Sequence, residues 1–138
     1  MEKRPADILA GLTEPETDAL VEILLLAALA DGALAQAESA VIKRALLSVD
    51  ELWLNHIDLE KRMTKARARI EAETAEARLT KLRTMLPWPE QRALALKLAI
   101  QIVEADGVVQ SSERELIMQA AQALGVQGDI AAKFTLAS

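Results

Sequence analysis

Asp31, Glu38, Asp106 and Glu113 are four carboxylates placed by a repeat. The stretch Ala30-Asp31-Gly32-Ala33-Leu34-Ala35-Gln36-Ala37-Glu38 returns 75 residues later as Ala105-Asp106-Gly107-Val108-Val109-Gln110-Ser111-Ser112-Glu113. Between Ala30 and Ala45 the copies share Ala, Asp, Gly, Glu, Ile and Ala at equivalent places. A duplicated helix pair needs only apolar residues to repeat its packing, so two repeated acids per copy ask for a separate reason. Carboxylate oxygens in a chain with no cysteine and a single histidine, His56, are hard donors. Such donors select Ca²⁺ or Mg²⁺ over zinc or copper.

Spacing sharpens that chemistry. Gly32 to Glu38 and Gly107 to Glu113 match the distance from the central glycine to the final bidentate glutamate of an EF-hand loop. The first half of such a loop fails: its first and third ligand positions fall on Ala27 and Leu29 in one copy, Ile102 and Glu104 in the other. A self-contained loop is therefore excluded for the first copy and not expected for the second. A composite site, with Asp31, Glu38, Asp106 and Glu113 brought together by pseudo-two-fold packing, stays open. So does a purely structural reading. Asp-Gly is a good turn, glycine supplies a positive φ, and Glu38 or Glu113 complements the start of the next helix. Asp31 and Asp106 sit at the negative ends of the preceding helices, where an exposed acid costs about 0.3–1 kcal/mol.

The elements that must position these acids read as helices throughout. Ala and Leu dominate a chain that is 51% hydrophobic, and aromatics are only Trp53, Trp88 and Phe134. That composition favours helix over strand. A short opening helix is expected over 5–10, closed by Gly11. Thr13 and Glu16, with Pro15 in the first turn, form a capping box for a helix to about residue 30. Its inward stripe is Leu20, Ile23, Leu24, Ala27 and Ala28. A second helix follows over about 37–48, burying Val41, Ile42, Ala45 and Leu46.

Pro87-Trp88-Pro89 breaks the chain before the second unit, with Trp88 expected as a core anchor of that linker. The first helix there reaches about residue 105 on a stripe of Ala95, Leu98, Ala99, Ile102 and Val103. The second runs over about 112–124, with Ser112 and Glu115 as a capping box and Gly125 as its stop. A last short helix is expected from Gly128 through Phe134. Between the units, residues 50–86 carry most charge. Leu52, Trp53, Leu59, Met63, Ala66 and Ile70 suggest one amphipathic helix and Leu79, Leu82 and Leu86 another, with a break near 71–74. Periodicity does not decide between two helices and one. Lys61, Arg62, Lys65, Arg67 and Arg69 precede Glu71, Glu73 and Glu76, the pattern of a solvated face laced with local ion pairs.

The fold class is thus all-α: one domain over 1–138, a compact bundle of two pseudo-two-fold related helix pairs (about 13–49 and 88–126) around a charged helical insert (about 50–86). Sixteen basic against 21 acidic residues give a net charge of −5. That balance argues against general nucleic-acid binding. The longest apolar-rich run, 19–30, is too short for a membrane span, which needs ~20 residues. Absent cysteine fits a reducing compartment, and a cytoplasmic location is the expectation.

With the duplicated Ala-Asp-Gly turn and a glutamate six residues after each glycine, the chain resembles the TerB-like domains of the tellurite-resistance family. The resemblance covers about 13–126, is best at 30–42 and 105–117, and is weakest in the insert. It implies a compact helical bundle, an acidic pair in each half, metal binding, and a place in bacterial stress-response and membrane-associated assemblies. Membrane association would then be peripheral and through partners, with a protein partner expected. No catalytic or cofactor-binding residue comes with the resemblance. An acid–base hydrolase built on the four carboxylates is the enzymatic alternative, but no phosphate-cradling loop accompanies them. A metal-free helical interaction domain is the other.

Overall fold

A computed structural model describes residues 4–30, 38–104 and 111–126. Among these residues there are eight helices and no strand: α1 (Pro5–Ala10), α2 (Glu14–Leu29), α3 (Glu38–Leu47), α4 (Glu51–His56), α5 (Leu59–Ala72), α6 (Ala75–Met85), α7 (Pro89–Glu104) and α8 (Ser111–Ala123). The all-α bundle expected from the sequence is what forms. None of the described helices is long and apolar enough to cross a membrane. The expected helix from Gly128 lies outside the described residues.

α2 starts where its cap predicts. The Thr13 hydroxyl accepts from the Glu16 backbone N–H at 3.3 Å, and the Glu16 carboxylate accepts from the Thr13 N–H at 2.9 Å. Its burial, however, exceeds a single stripe: every residue from Ala19 to Ala27 is buried, Glu22 included. α2 is the central helix of the bundle, covered by α3, α5, α6, α7 and α8. A helix apolar all round is a core helix, which the stripe reading of 19–30 missed.

α7 has the same length as α2, and both of its ends lie 75 residues beyond those of α2. The two helices pack against each other. Large and small residues are exchanged between them: Leu20 and Leu24 correspond to Ala95 and Ala99, whereas Ala19 and Ala27 correspond to Leu94 and Ile102. Such reciprocity keeps the filled volume constant, as close packing requires. The α7 start is a weakened copy of the α2 cap. Gln91 takes the place of Glu16, its side chain accepting from the Trp88 N–H at 3.2 Å, and Trp88 takes the place of Thr13. Trp88 is 60% exposed, so it does not anchor the core. It stands at a cap position, outside the first helical turn.

The insert resolves into three helices. Asp58 caps α5 by accepting from the Lys61 N–H, and Thr74 caps α6 by accepting from the Ala77 N–H, both at 3.1 Å. The break at 73–74 falls where expected. The break at 57–58, which separates α4 from α5, does not, because its only signal is the single cap Asp58. Leu59, Met63 and Ala66 of α5 and Leu79 and Leu82 of α6 are buried in the common core.

α8 begins one residue before the expected cap, placing Ser112 inside the helix. It ends as the sequence suggests. Gly125 takes φ +69°, the Val126 N–H donates to the Ala121 carbonyl at 2.9 Å, and the Gly125 N–H donates to the Gln122 carbonyl at 3.2 Å. This is a Schellman motif. A Cβ at Gly125 meets the Arg83 guanidinium at 3.3 Å as well as the strained φ. Gly125→Ala should therefore lower stability by about 1 kcal/mol in a urea titration. An unchanged midpoint would mean that the turn relaxes to negative φ.

Candidate functional site

The four repeated carboxylates are reached unevenly. Glu113 lies in the first turn of α8, where the helix dipole favours an acid. It is buried, only 4% exposed, on a helix that packs against α2, α6 and α7, and it is not without a partner there. A carboxylate enters such a place only if its charge is compensated. Glu38 opens α3. Its side chain, together with Asp31 and Asp106, lies outside the described residues. Among the described residues no group of three His, Cys, Asp or Glu stands close enough to hold a metal ion.

A second charged constellation was not anticipated. Glu22, in the middle of α2 and 1% exposed, accepts from Arg78 Nε at 2.5 Å (Oε2) and from Arg78 Nη2 at 2.9 Å (Oε1). Its Oε1 also accepts from Arg69 Nε at 2.7 Å. Arg78 Nη1 donates on to Glu73 Oε2 at 2.9 Å, and Lys81 Nζ donates to Glu73 Oε1 at 2.6 Å. Nearer the start of α2, Arg62 donates to Asp18 at 2.6 Å and Glu14 at 2.5 Å. Arg62, Arg69 and Arg78 of the insert thus point at α2, and for Arg62 and Arg69 the expected local pairing with Glu71, Glu73 and Glu76 is corrected. Arg62 and Arg69 reach across to α2; Glu73 pairs with α6. Lys61 and Lys65 are exposed.

The electrostatics follow the contacts. Hydrogen bonding to Glu22 raises Arg78 above its usual value despite its burial. Burial works against the charge on Arg62, but its bonds to Glu14 and Asp18 outweigh it and hold the group above its usual value. The Lys81 ammonium, with Arg78, holds Glu73 below the ordinary carboxylate range. A lowered carboxylate contributes stability above its unfolded pKa and loses it as the pH falls through the folded value. A signal for this network was present in the sequence. Glu22 is the one acid inside the apolar run 19–30, and an acid in a helix covered on every side must find cations.

Where α2 ends, a cleft of about 290 Å³ opens between its last turn, the junction of α5 and α6, and α8. Its walls are mostly apolar, with Leu26, Leu29, Ile70 and Leu116 contributing. Ala30, the residue before the first acidic turn, lines it too.

With this geometry in hand, the chain matches the family described as tellurite resistance protein TerB over residues 54–134. That is more than half of the chain, and the chain belongs to this family. The match takes in nearly all of the charged insert together with α7 and α8, whereas the sequence resemblance was weakest in the insert. No curated protein and no solved structure matches the chain.

Proposed function

We propose that this TerB domain is a non-enzymatic binding module that serves a protein partner in a bacterial stress-response assembly. Its two acidic turns, Asp31 with Glu38 and Asp106 with Glu113, hold one divalent cation, Ca²⁺ or Mg²⁺. The observation that carries the cation reading is the burial of Glu113 in the first turn of α8, at the position the sequence repeats as Glu38. A solvated turn needs no buried carboxylate. The helix pairs α2–α3 and α7–α8 are read as duplicates, so residues 19–46 and 94–121 should superpose with the same helix crossing.

Thermal melting tests the cation. A ligand held only by the native state stabilises it by mass action, by about 2.7 kcal/mol at a concentration of 100 times its Kd. Calcium or magnesium should raise the Tm relative to EDTA. Glu113→Gln keeps the shape but loses the charge and the paired oxygens, and should abolish the metal-dependent rise whatever its metal-free Tm. Glu38→Gln should do the same if the site is shared. Equal Tm values with millimolar metal and with EDTA for the wild-type chain would remove the cation, leaving a metal-free helical interaction module.

A further inference from the structure

The cleft at the end of α2 is cut to a particular shape. Ser112, Glu115, Leu116 and Gln119 line it from α8, spaced so that they share one helix face over two turns, about 10 Å. The opposite face, with Ile117, Ala120 and Ala121, is buried in the core. α8 therefore packs with one face and offers the other to the cleft. The remaining walls are apolar and only partly covered: Leu29 and Ile70 are half-buried, and Leu26 forms the floor.

Volume and charge say what fits. At about 290 Å³ the cleft lies at the bottom of the ~300–1,000 Å³ range of small-molecule pockets, and an open trough along a helix suits side chains delivered by a partner helix. Among the described residues lining it, Glu115 is the one that carries a charge. It is exposed and, among the described residues, makes no hydrogen bond or ion pair. The protein carries a net charge of −5, which adds to the pull on a cationic segment.

We infer that this cleft is the docking groove for a basic amphipathic helix of a partner protein, its apolar side chains on Leu26, Leu29, Ile70 and Leu116 and a lysine or arginine paired with Glu115. The inference rests on reading the domain as a binding module but not on the cation, so its test is run in EDTA. Two alanine-rich helical peptides of about fifteen residues serve as probes, identical in their leucine face and differing only in lysines or glutamates beside it. Titration followed by amide chemical shifts of the labelled domain should place the lysine peptide at Leu29, Ile70 and Leu116. It should bind at least about tenfold more tightly than its glutamate twin, a difference of about 1.4 kcal/mol.

Glu115→Gln, a change at an exposed position, should bring the two peptides within about twofold of each other. Ala75→Leu, which fills the cleft from the first turn of α6, should weaken both while leaving the helical melting curve in place. Equal affinity of the two peptides for the wild-type domain, shifts confined to other surfaces, or protection of the groove by self-association of the domain would each overturn the proposal.

Discussion

Glu22→Ala should cost the domain about 3–5 kcal/mol, the usual penalty for removing one partner of a buried ion pair. Arg78, 5% exposed, would be left with its guanidinium facing an apolar void on α2, holding only its bond to Glu73. Arg69 would lose its bond as well. A urea titration reads the loss directly, and the Tm should fall by roughly 10 °C or more. The double change Glu22→Leu with Arg78→Leu should be less harmful than Glu22→Ala, since apolar replacement of a whole buried pair is often neutral. A loss below about 1 kcal/mol for Glu22→Ala would show that water reaches the network and that the insert is held by its leucines alone.

Leu24→Ala should be nearly as damaging, by about 2.7–5 kcal/mol, the range for deleting a fully buried leucine. Leu24 has no exposed surface and lies in the stretch of α2 covered on all sides. Its counterpart in the second repeat is Ala99, so truncation would place alanine at both equivalent positions and abandon the large-for-small exchange between α2 and α7. Leu52→Ala is the matched control. That side chain is 73% exposed, and its loss should change stability by no more than about 0.5 kcal/mol. Comparable losses at the two positions would contradict the burial pattern.

Local signals of the fold were legible where they are short in range. The Thr13–Glu16 box and Gly125 mark helix ends through contacts with their own neighbours, and the structure uses both; Asp58 and Thr74 cap in the same local way, but only the break beside Thr74 was expected. The burial of α2 was only half legible, because periodicity reports the face that is always apolar and cannot tell which further element will cover the other. The insert does much of that covering, and within 19–30 the signs of it are the run being apolar all round and its single acid, Glu22. Trp88 misled for a related reason. A large aromatic between prolines suggests an anchor, but its place is that of a helix cap, which faces outward.

The site was legible as a repeat of acids and no further. Glu113 is buried, while Asp31, Asp106 and the Glu38 side chain lie outside the described residues, and sequence spacing alone does not specify the turn geometry that would bring the four together. Glu115 and the groove beside it could not have been read from the chain. A cleft is a gap between elements distant in sequence, here 26–30, 70–75 and 112–119.

The central position of α2 sets the order in which the chain can fold. It is made before most of its cover: α3 follows at Glu38, but α5 through α8 begin only at Leu59 and end past residue 104. At synthesis rates of about 5–20 residues per second, the nine-residue apolar stretch of α2 waits roughly 4–15 s for α7 to appear. A nascent chain in that interval has only α3, α5 and α6 to cover this helix and leaves the face that α7 takes exposed. Pairing α2 with α7 also closes a long loop, so this bundle should refold more slowly than one whose neighbours in sequence are neighbours in space.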